Sequence, residues 1–166
     1  MINSKLRRLV RLNKTRMDFL EEFQQLIDEY TAGSRDIEEF FTQLVAFAQS
    51  LNAEEKRHIA QQLTEQELAI FDLLARPDMK LTNKEGQQVK KVAHDLLETL
   101  KREKLVLDWR KRQQTRAAMR LSIEEMLDRL PQRYTPELYR QKCELVYQHV
   151  CDSYYGSGRS VYSVAV

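Results

Sequence analysis

The sequence predicts an all-α protein: a long helical hairpin followed by a compact helical bundle, six to seven helices in all, with no substantial sheet. Three observations predict it. The 166 residues hold only four glycines and three prolines, so helix-breaking punctuation is scarce. Apolar residues recur three and four apart over long stretches, which is the helix period. Ser/Thr-x-x-Glu sequences also precede such stretches, as in a capping box, where the hydroxyl accepts a backbone N–H and the glutamate reaches back. A chain of this size buries roughly 70% of its unfolded surface and can fold without disulfides or metal.

The first helix is expected from about Ser4 to Thr31, ended by Gly33. Ser34 or Asp36 starts a second, "DIEEFFTQLVAFAQSLNAEEKRHIAQQL", with one apolar stripe of Phe40, Phe41, Leu44, Phe47, Ala48 and Leu51. So short a turn joins the two as an antiparallel hairpin. Capping boxes at Thr64/Glu67, Thr82/Glu85 and Ser122/Glu125 start three more helices. Thr135 followed by Pro136 starts another, with proline in the first helical position. Pro77, Pro131 and Gly156 supply stops. The helix after Thr82 has the cleanest face: Val89, Val92, Ala93, Leu96, Leu97 and Leu100. A short strand in the final "SVYSVAV" is the one exception to helix. The organisation expected is a hairpin lead-in over 1–63, a bundle over 64–155 and a flexible or docking tail over 156–166.

A net charge of +2 conceals blocks: residues 1–17 carry +6, 18–78 carry −10, 79–120 carry +7 and 121–166 carry −1. Such blocks point to electrostatic docking, within the fold or onto a partner. The opening "MINSKLRRLVRLNKTR" has the charge of a mitochondrial presequence, but it lacks serine enrichment and its pattern runs on through Met17, Leu20 and Phe23. No apolar run reaches membrane-spanning length. Cys143 and Cys151 stand about 12 Å apart by helical rise, too far for a disulfide. Two unpaired thiols suit a reducing cytoplasm.

The sequence offers no constellation for chemistry. Its glycines, at 33, 86, 156 and 158, form no phosphate loop, and "GSGR" lacks the Lys-Ser/Thr pair and follows a helix. "PDMK" at Pro77–Lys80 contains Asp-x-Lys, a fragment of a metal-dependent nuclease signature, but the second carboxylate and the sheet that such chemistry needs are missing, so it reads as a loop. His58, His94 and His149 fall on separate helices, without zinc-ligand spacing. The double acids Glu21-Glu22, Glu38-Glu39, Glu54-Glu55 and Glu124-Glu125 read as solvated helix faces. No catalytic residue and no metal ligand is assigned.

"LVLDWRKRQQTRAAMRLSIEEML" is the informative stretch, with Trp109 followed by Arg110, Lys111, Arg112, Arg116 and Arg120 and no acid among them. Arg112, Arg116 and Arg120 recur every four residues, about 6 Å of rise each. Such a row can follow a phosphate backbone, and Lys101, Arg102 and Lys104 widen the footprint. The same row can instead lie against the acidic block of its own chain, which would leave nothing free for a partner. Charge alone admits both. Trp109 by itself reads as a core or interface anchor.

Three pieces carry a resemblance: "LVLDWRKRQQTRA" at Leu105–Ala117, "LYRQKCELVYQHVCDSY" at Leu138–Tyr154 and "YGSGRSVY" at Tyr155–Tyr162. In order and spacing they resemble the C-terminal end of the motor-endonuclease (R) subunit of bacterial type I restriction-modification enzymes. The likeness is strong from about Leu63 to Tyr162, with residues 1–60 matching only as a helical lead-in. It implies a cytoplasmic, non-catalytic helical domain of an ATP-dependent, DNA-translocating nuclease. ATP and magnesium are expected only in that subunit's other domains, since no catalytic residue carries over. The implied partners are the methyltransferase subunits, the motor lobes and, weakly and without sequence preference, double-stranded DNA; no membrane is implied.

The docking role agrees with the residues. Tyr134, Tyr139, Tyr154, Tyr155 and Tyr162 cluster toward the end of the chain and, with Trp109, are the candidate subunit-interface residues. The candidate DNA-binding residues are Lys101, Arg102, Lys104, Arg110, Lys111, Arg112, Arg116 and Arg120. The alternative is a stand-alone helical nucleic-acid-binding protein in which the Arg112/Arg116/Arg120 row is the main site.

Overall fold

The computed structural model describes residues 1–76, 79–106, 108–156 and 158–163. Pro77 and Asp78 of the Asp-x-Lys fragment, and Val164, Ala165 and Val166 of the expected terminal strand, lie outside the described residues. Eight α-helices and one small two-stranded sheet are present among the described residues, so the protein is all-α as expected. None of these helices is long and apolar enough to cross a membrane. The chain divides into two compact units, residues 1–64 and 65–166.

In the first unit, α1 (Ile2–Leu12), α2 (Met17–Thr31), α3 (Ile37–Glu55) and the single turn α4 (Arg57–Ala60) follow one another. The helix expected over Ser4–Thr31 is therefore two. Asn13 breaks it: its backbone is extended, and its side chain accepts from the Thr15 N–H at 3.2 Å and the Thr15 hydroxyl at 2.8 Å. This local bonding competes with the helical ladder. The break allows Leu6 and Leu9 of α1 to share one core with Phe47 and Leu51 of α3, with Phe19 and Phe23 of α2 around the Phe47 ring. The α2–α3 turn follows the sequence closely. Gly33 adopts φ +75° as the Ser34 N–H bonds the Glu29 carbonyl and its own N–H bonds that of Tyr30, closing α2. Asp36 then caps α3 by accepting the Glu39 N–H at 2.7 Å.

Three cations of the basic opening block are paired with acids inside this unit. Lys5 and Arg8 both meet Glu55, and Arg16, only 1% exposed, donates to Glu54 at 2.9 Å and to the Leu9 carbonyl at 3.4 Å. Arg57 holds the same Glu54 carboxylate at 2.9 Å. Glu54 is thus a buried partner rather than part of a solvated face.

The second unit is a closed four-helix arrangement of α5 (Glu65–Ala75), α6 (Asn83–Thr99), α7 (Gln113–Leu127) and α8 (Pro136–Ser153). Each packs on its chain neighbour, and α8 returns to α5. The expected α6 face is buried in full, from Val89 to Leu100. Thr82 caps α6 by accepting the Glu85 N–H, and Thr135 caps α8 by accepting the Leu138 N–H, with Pro136 beside it. Ser122 does not start a helix, because α7 runs through it. Burial of Met119, Ile123 and Leu127 on one face keeps that helix continuous, with Ser122 itself buried. After α6 the chain passes through a π-helical turn (Leu100–Lys104) and a 3-10 turn (Trp109–Lys111). After α8, β1 (Tyr154–Gly156) pairs antiparallel with β2 (Arg159–Ser160).

Candidate docking and nucleic-acid surface

The connection between α6 and α7 carries six of the eight candidate DNA-binding cations, and the terminal hairpin fixes it. Trp109 is completely buried and its indole N–H donates to the Tyr154 carbonyl at 3.2 Å. Arg110 donates to the Cys151 carbonyl at 2.9 Å and stands over the Tyr155 ring at 5.0 Å. Gly156, at φ +97°, lies so close that a Cβ there would stand 2.6 Å from the Val106 carbonyl oxygen and 3.4 Å from the Trp109 ring. Two pieces of sequence some 45 residues apart therefore interlock as one local structure.

The arginine row does not form as a single free stripe. Arg112 has an extended backbone and precedes α7. Arg116 donates to the Arg110 carbonyl at 2.7 Å. Arg120 makes two hydrogen bonds to Glu144 of α8, at 2.7 and 3.4 Å, and lies over the Tyr147 ring at 3.8 Å. This pairing holds the Glu144 carboxyl below, and the Arg120 guanidinium above, its usual range. The acid that meets Arg120 thus comes from α8, not from the acidic block at 18–78. Of the other cations, Arg102 meets Glu103 at 3.3 Å and Lys111 meets Asp108 at 3.3 Å, all exposed. The side chains of Lys101, Lys104 and Arg112 form no ion pair among the described residues.

Four of the six aromatic residues expected at a subunit interface are enclosed by their own unit. Trp109, Tyr134, Tyr154 and Tyr162 are each at most 8% exposed. Each is large enough to fill the core, and each finds an internal partner for its polar tip. The Tyr134 hydroxyl donates to the Leu74 carbonyl at 2.8 Å, the Tyr154 hydroxyl to Gln66 at 2.9 Å, and Tyr162 lies 3.4 Å from His149 Nε2. Burial pushes the Tyr134 phenol up to about 12 and raises that of Tyr154 further. Tyr139 and Tyr155 are half-buried, and the Tyr139 hydroxyl donates to the Glu124 carbonyl at 2.7 Å.

Two features differ from what the periodicity predicts. The first is on α3, in the N-terminal unit, where Ile37, Phe41 and Val45 stand four residues apart and are 68%, 65% and 41% exposed. Phe41 was expected on the buried stripe, but the core takes Phe47 and Leu51 and leaves Phe41 on the outer side of the helix. The second is Lys142, 3% exposed in the middle of α8, whose ammonium donates to the carbonyls of Leu73 and Arg76 at 2.8 and 2.6 Å. It closes the C-terminal end of α5, together with Tyr134 on Leu74. A lysine within a helical stretch ordinarily reads as solvated, and nothing local marks this one.

Among the described residues, no three His, Cys, Asp or Glu side chains gather as a metal site. Cys143 and Cys151 are unpaired, and burial raises the Cys143 thiol.

A family model described as type I restriction enzyme HindI endonuclease subunit-like, C-terminal, matches residues 1–153. The match takes in the helical lead-in and ends before the Tyr155–Tyr162 hairpin. No curated protein and no solved structure matches the chain. With all but the last segment of the chain inside the match, the protein belongs to the family of C-terminal domains of type I restriction enzyme HindI endonuclease subunit-like proteins.

Proposed function

We propose that this domain is a non-catalytic assembly module that joins the DNA-translocating endonuclease subunit to its methyltransferase core, with an auxiliary, sequence-independent contact to double-stranded DNA. The exposed α3 ridge of Ile37, Phe41 and Val45 carries the docking part. Three large apolar side chains one turn apart on a helix form the anchor pattern of a helix face that meets a partner. Membership in a restriction-enzyme subunit family supports the reading that this partner is another subunit of such an enzyme. The DNA part rests on the α6–α7 connection, where Lys104 and Arg112 keep their charge uncommitted beside the exposed Lys111.

Docking is tested by co-purification of the domain with the methyltransferase subunits at moderate salt, comparing wild type with Ile37→Lys/Phe41→Lys. Retained wild-type binding with loss in the variant, at an unchanged melting temperature, supports the reading. Equal binding by both removes the ridge from the interface. DNA contact is tested by a salt titration with Lys104→Ala/Lys111→Ala/Arg112→Ala. If three phosphates are lost, the log–log slope shrinks by roughly 2–3. A stand-alone nucleic-acid binder would instead depend on Arg116 and Arg120, which already serve the Arg110 carbonyl and Glu144.

A further inference from the structure

We propose that the second unit carries a binding cleft for a small phosphate-bearing molecule, a phosphate monoester, between the π-helical turn and the terminal hairpin. The cleft has a volume of about 350 Å³ and includes Lys101, Arg159, Gln66, Ser160, Tyr154 and Tyr162 in its lining. That volume lies within the range of small-molecule sites.

The chemistry of the lining selects the charge. Lys101 and Arg159 both line it, from the π-helical turn after α6 and from β2, and no carboxylate is among its described lining residues. Neither side chain forms an ion pair or hydrogen bond among the described residues, so both charges are uncommitted. Ser160 adds a neutral donor. Its buried hydroxyl oxygen already accepts the backbone N–H of Tyr162 at 3.2 Å and of Ser163 at 3.3 Å, and its proton is donated to no described group. Gln66 accepts the Tyr154 hydroxyl through its oxygen, which leaves its amide N–H groups to donate. Two cations and several neutral donors, with no acid among the described lining residues, suit a dianionic phosphate, with the guanidinium able to bind two of its oxygens.

The rest of the lining favours a small molecule over a nucleic-acid backbone. Leu105, Tyr154 and Tyr162 supply apolar wall for an organic moiety, and the two exposed cations line one concavity. The cleft is built by the same lock that buries Trp109, since Gly156 and Tyr154 belong to both. It is therefore shaped before any ligand arrives, which lowers the cost of binding. The "GSGR" stretch, which lacks the Lys-Ser/Thr pair of a nucleotide loop, contributes here through its arginine.

The test is a backbone NMR titration of the full chain with inorganic phosphate, adenosine 5′-monophosphate and unphosphorylated adenosine, repeated on Lys101→Gln/Arg159→Gln. The expected result is saturable movement of the Gly158, Ser160 and Lys101 signals with both phosphates and none with adenosine. The double variant should bind at least about tenfold more weakly with its melting temperature unchanged, because neither side chain holds a structural partner. The proposal is overturned if the signals stay fixed at about 10 mM ligand, tenfold above a site of roughly 1 mM affinity, or if the variant responds like wild type. A short DNA duplex forms the last arm. Movement of the same signals by duplex but not by the monophosphate would assign the cleft to DNA and also overturn the small-molecule proposal.

Discussion

The indole N–H of Trp109 donates to the main-chain carbonyl of Tyr154 across 45 residues of sequence, at 3.2 Å, and no part of the tryptophan reaches solvent. The most distinctive residue of the basic stretch is therefore an architectural one. It pins the α6–α7 connection to the start of the terminal hairpin, and the exposed cations on either side take their positions from it. Its contribution to any interface is indirect, through what it holds in place.

Gly156 makes that lock possible, and its replacement should show how close the approach is. Gly156→Ala meets two penalties, a φ of +97° and a Cβ 2.6 Å from the Val106 carbonyl oxygen, which belongs to backbone and cannot swing aside. Gly158, at φ +77° with open space around it, meets only the first. Urea unfolding should show Gly158→Ala costing about 1 kcal/mol and Gly156→Ala at least about 2–3 kcal/mol. Equal losses would mean that the close approach adds nothing beyond backbone strain.

What the sequence made legible follows from which interactions are local. The Gly33 stop, the Asp36, Thr82 and Thr135 caps and the buried face of α6 all depend on residues within a few positions of one another, and all are found. The break at Asn13 is also local, but an Asn-x-Thr inside an otherwise periodic stretch resembles any polar helical position until the Asn13 side chain is seen to bond Thr15. The buried roles of Glu54 and Lys142 were illegible for a different reason. Their partners, Arg16 and the end of α5, lie 38 and more than 60 residues away. The Arg112/Arg116/Arg120 row was legible as spacing, yet spacing does not reveal that Arg120 has Glu144 and Tyr147 beside it.

Arg16 should be far more important than its place in a basic leader suggests. At 1% exposure it joins the end of α1 to Glu54 of α3. Removing one partner leaves a buried charge, and such losses run to about 3–5 kcal/mol. Arg57 still holds Glu54, so Arg16→Met should fall at or below the lower end of that range, about 2–3 kcal/mol. In a Glu54→Leu background the same change should cost distinctly less. A thermal-melting cycle over the four proteins measures the coupling, and additive losses would show that the pair is not coupled.

Stability should fall at both ends of the pH scale. Hydrogen bonds from Lys5, Arg133 and Arg120 hold the carboxyls of Glu55, Glu85 and Glu144 below the usual glutamate value of 4.5. Lowered values mean stabilisation that is present above 4.5 and lost as the pH falls through the folded-state values. Tyr134 works in the opposite direction. Burial raises it from 10 to about 12, so its stabilisation is complete below pH 10 and is lost as the pH rises toward 12. Melting temperature against pH should show a plateau between these limbs, and Tyr134→Phe should soften the alkaline limb. Glu144→Gln should flatten part of the acid limb and, because the pair is exposed, lower the plateau only slightly.

Lys142 offers the sharpest test of the second unit. Its ammonium sits at the C-terminal end of α5, where the last carbonyls have no helical partner and the helix dipole is negative, and it donates to Leu73 and Arg76 at 2.8 and 2.6 Å. Lys142→Met keeps the length and apolar stem but removes both charge-assisted bonds and leaves carbonyls to be resolvated at a site only 3% exposed. The expected loss is about 2–3 kcal/mol. Lys142→Arg should not restore it, because a planar guanidinium is wider than the ammonium that fits between the two carbonyls. Hydrogen exchange can locate the effect. The amides of Leu73–Ala75 should lose protection first in the methionine variant, while those near the capped start of α6 keep theirs. A uniform loss across the unit would instead mean that Lys142 contributes to global packing rather than to the end of α5.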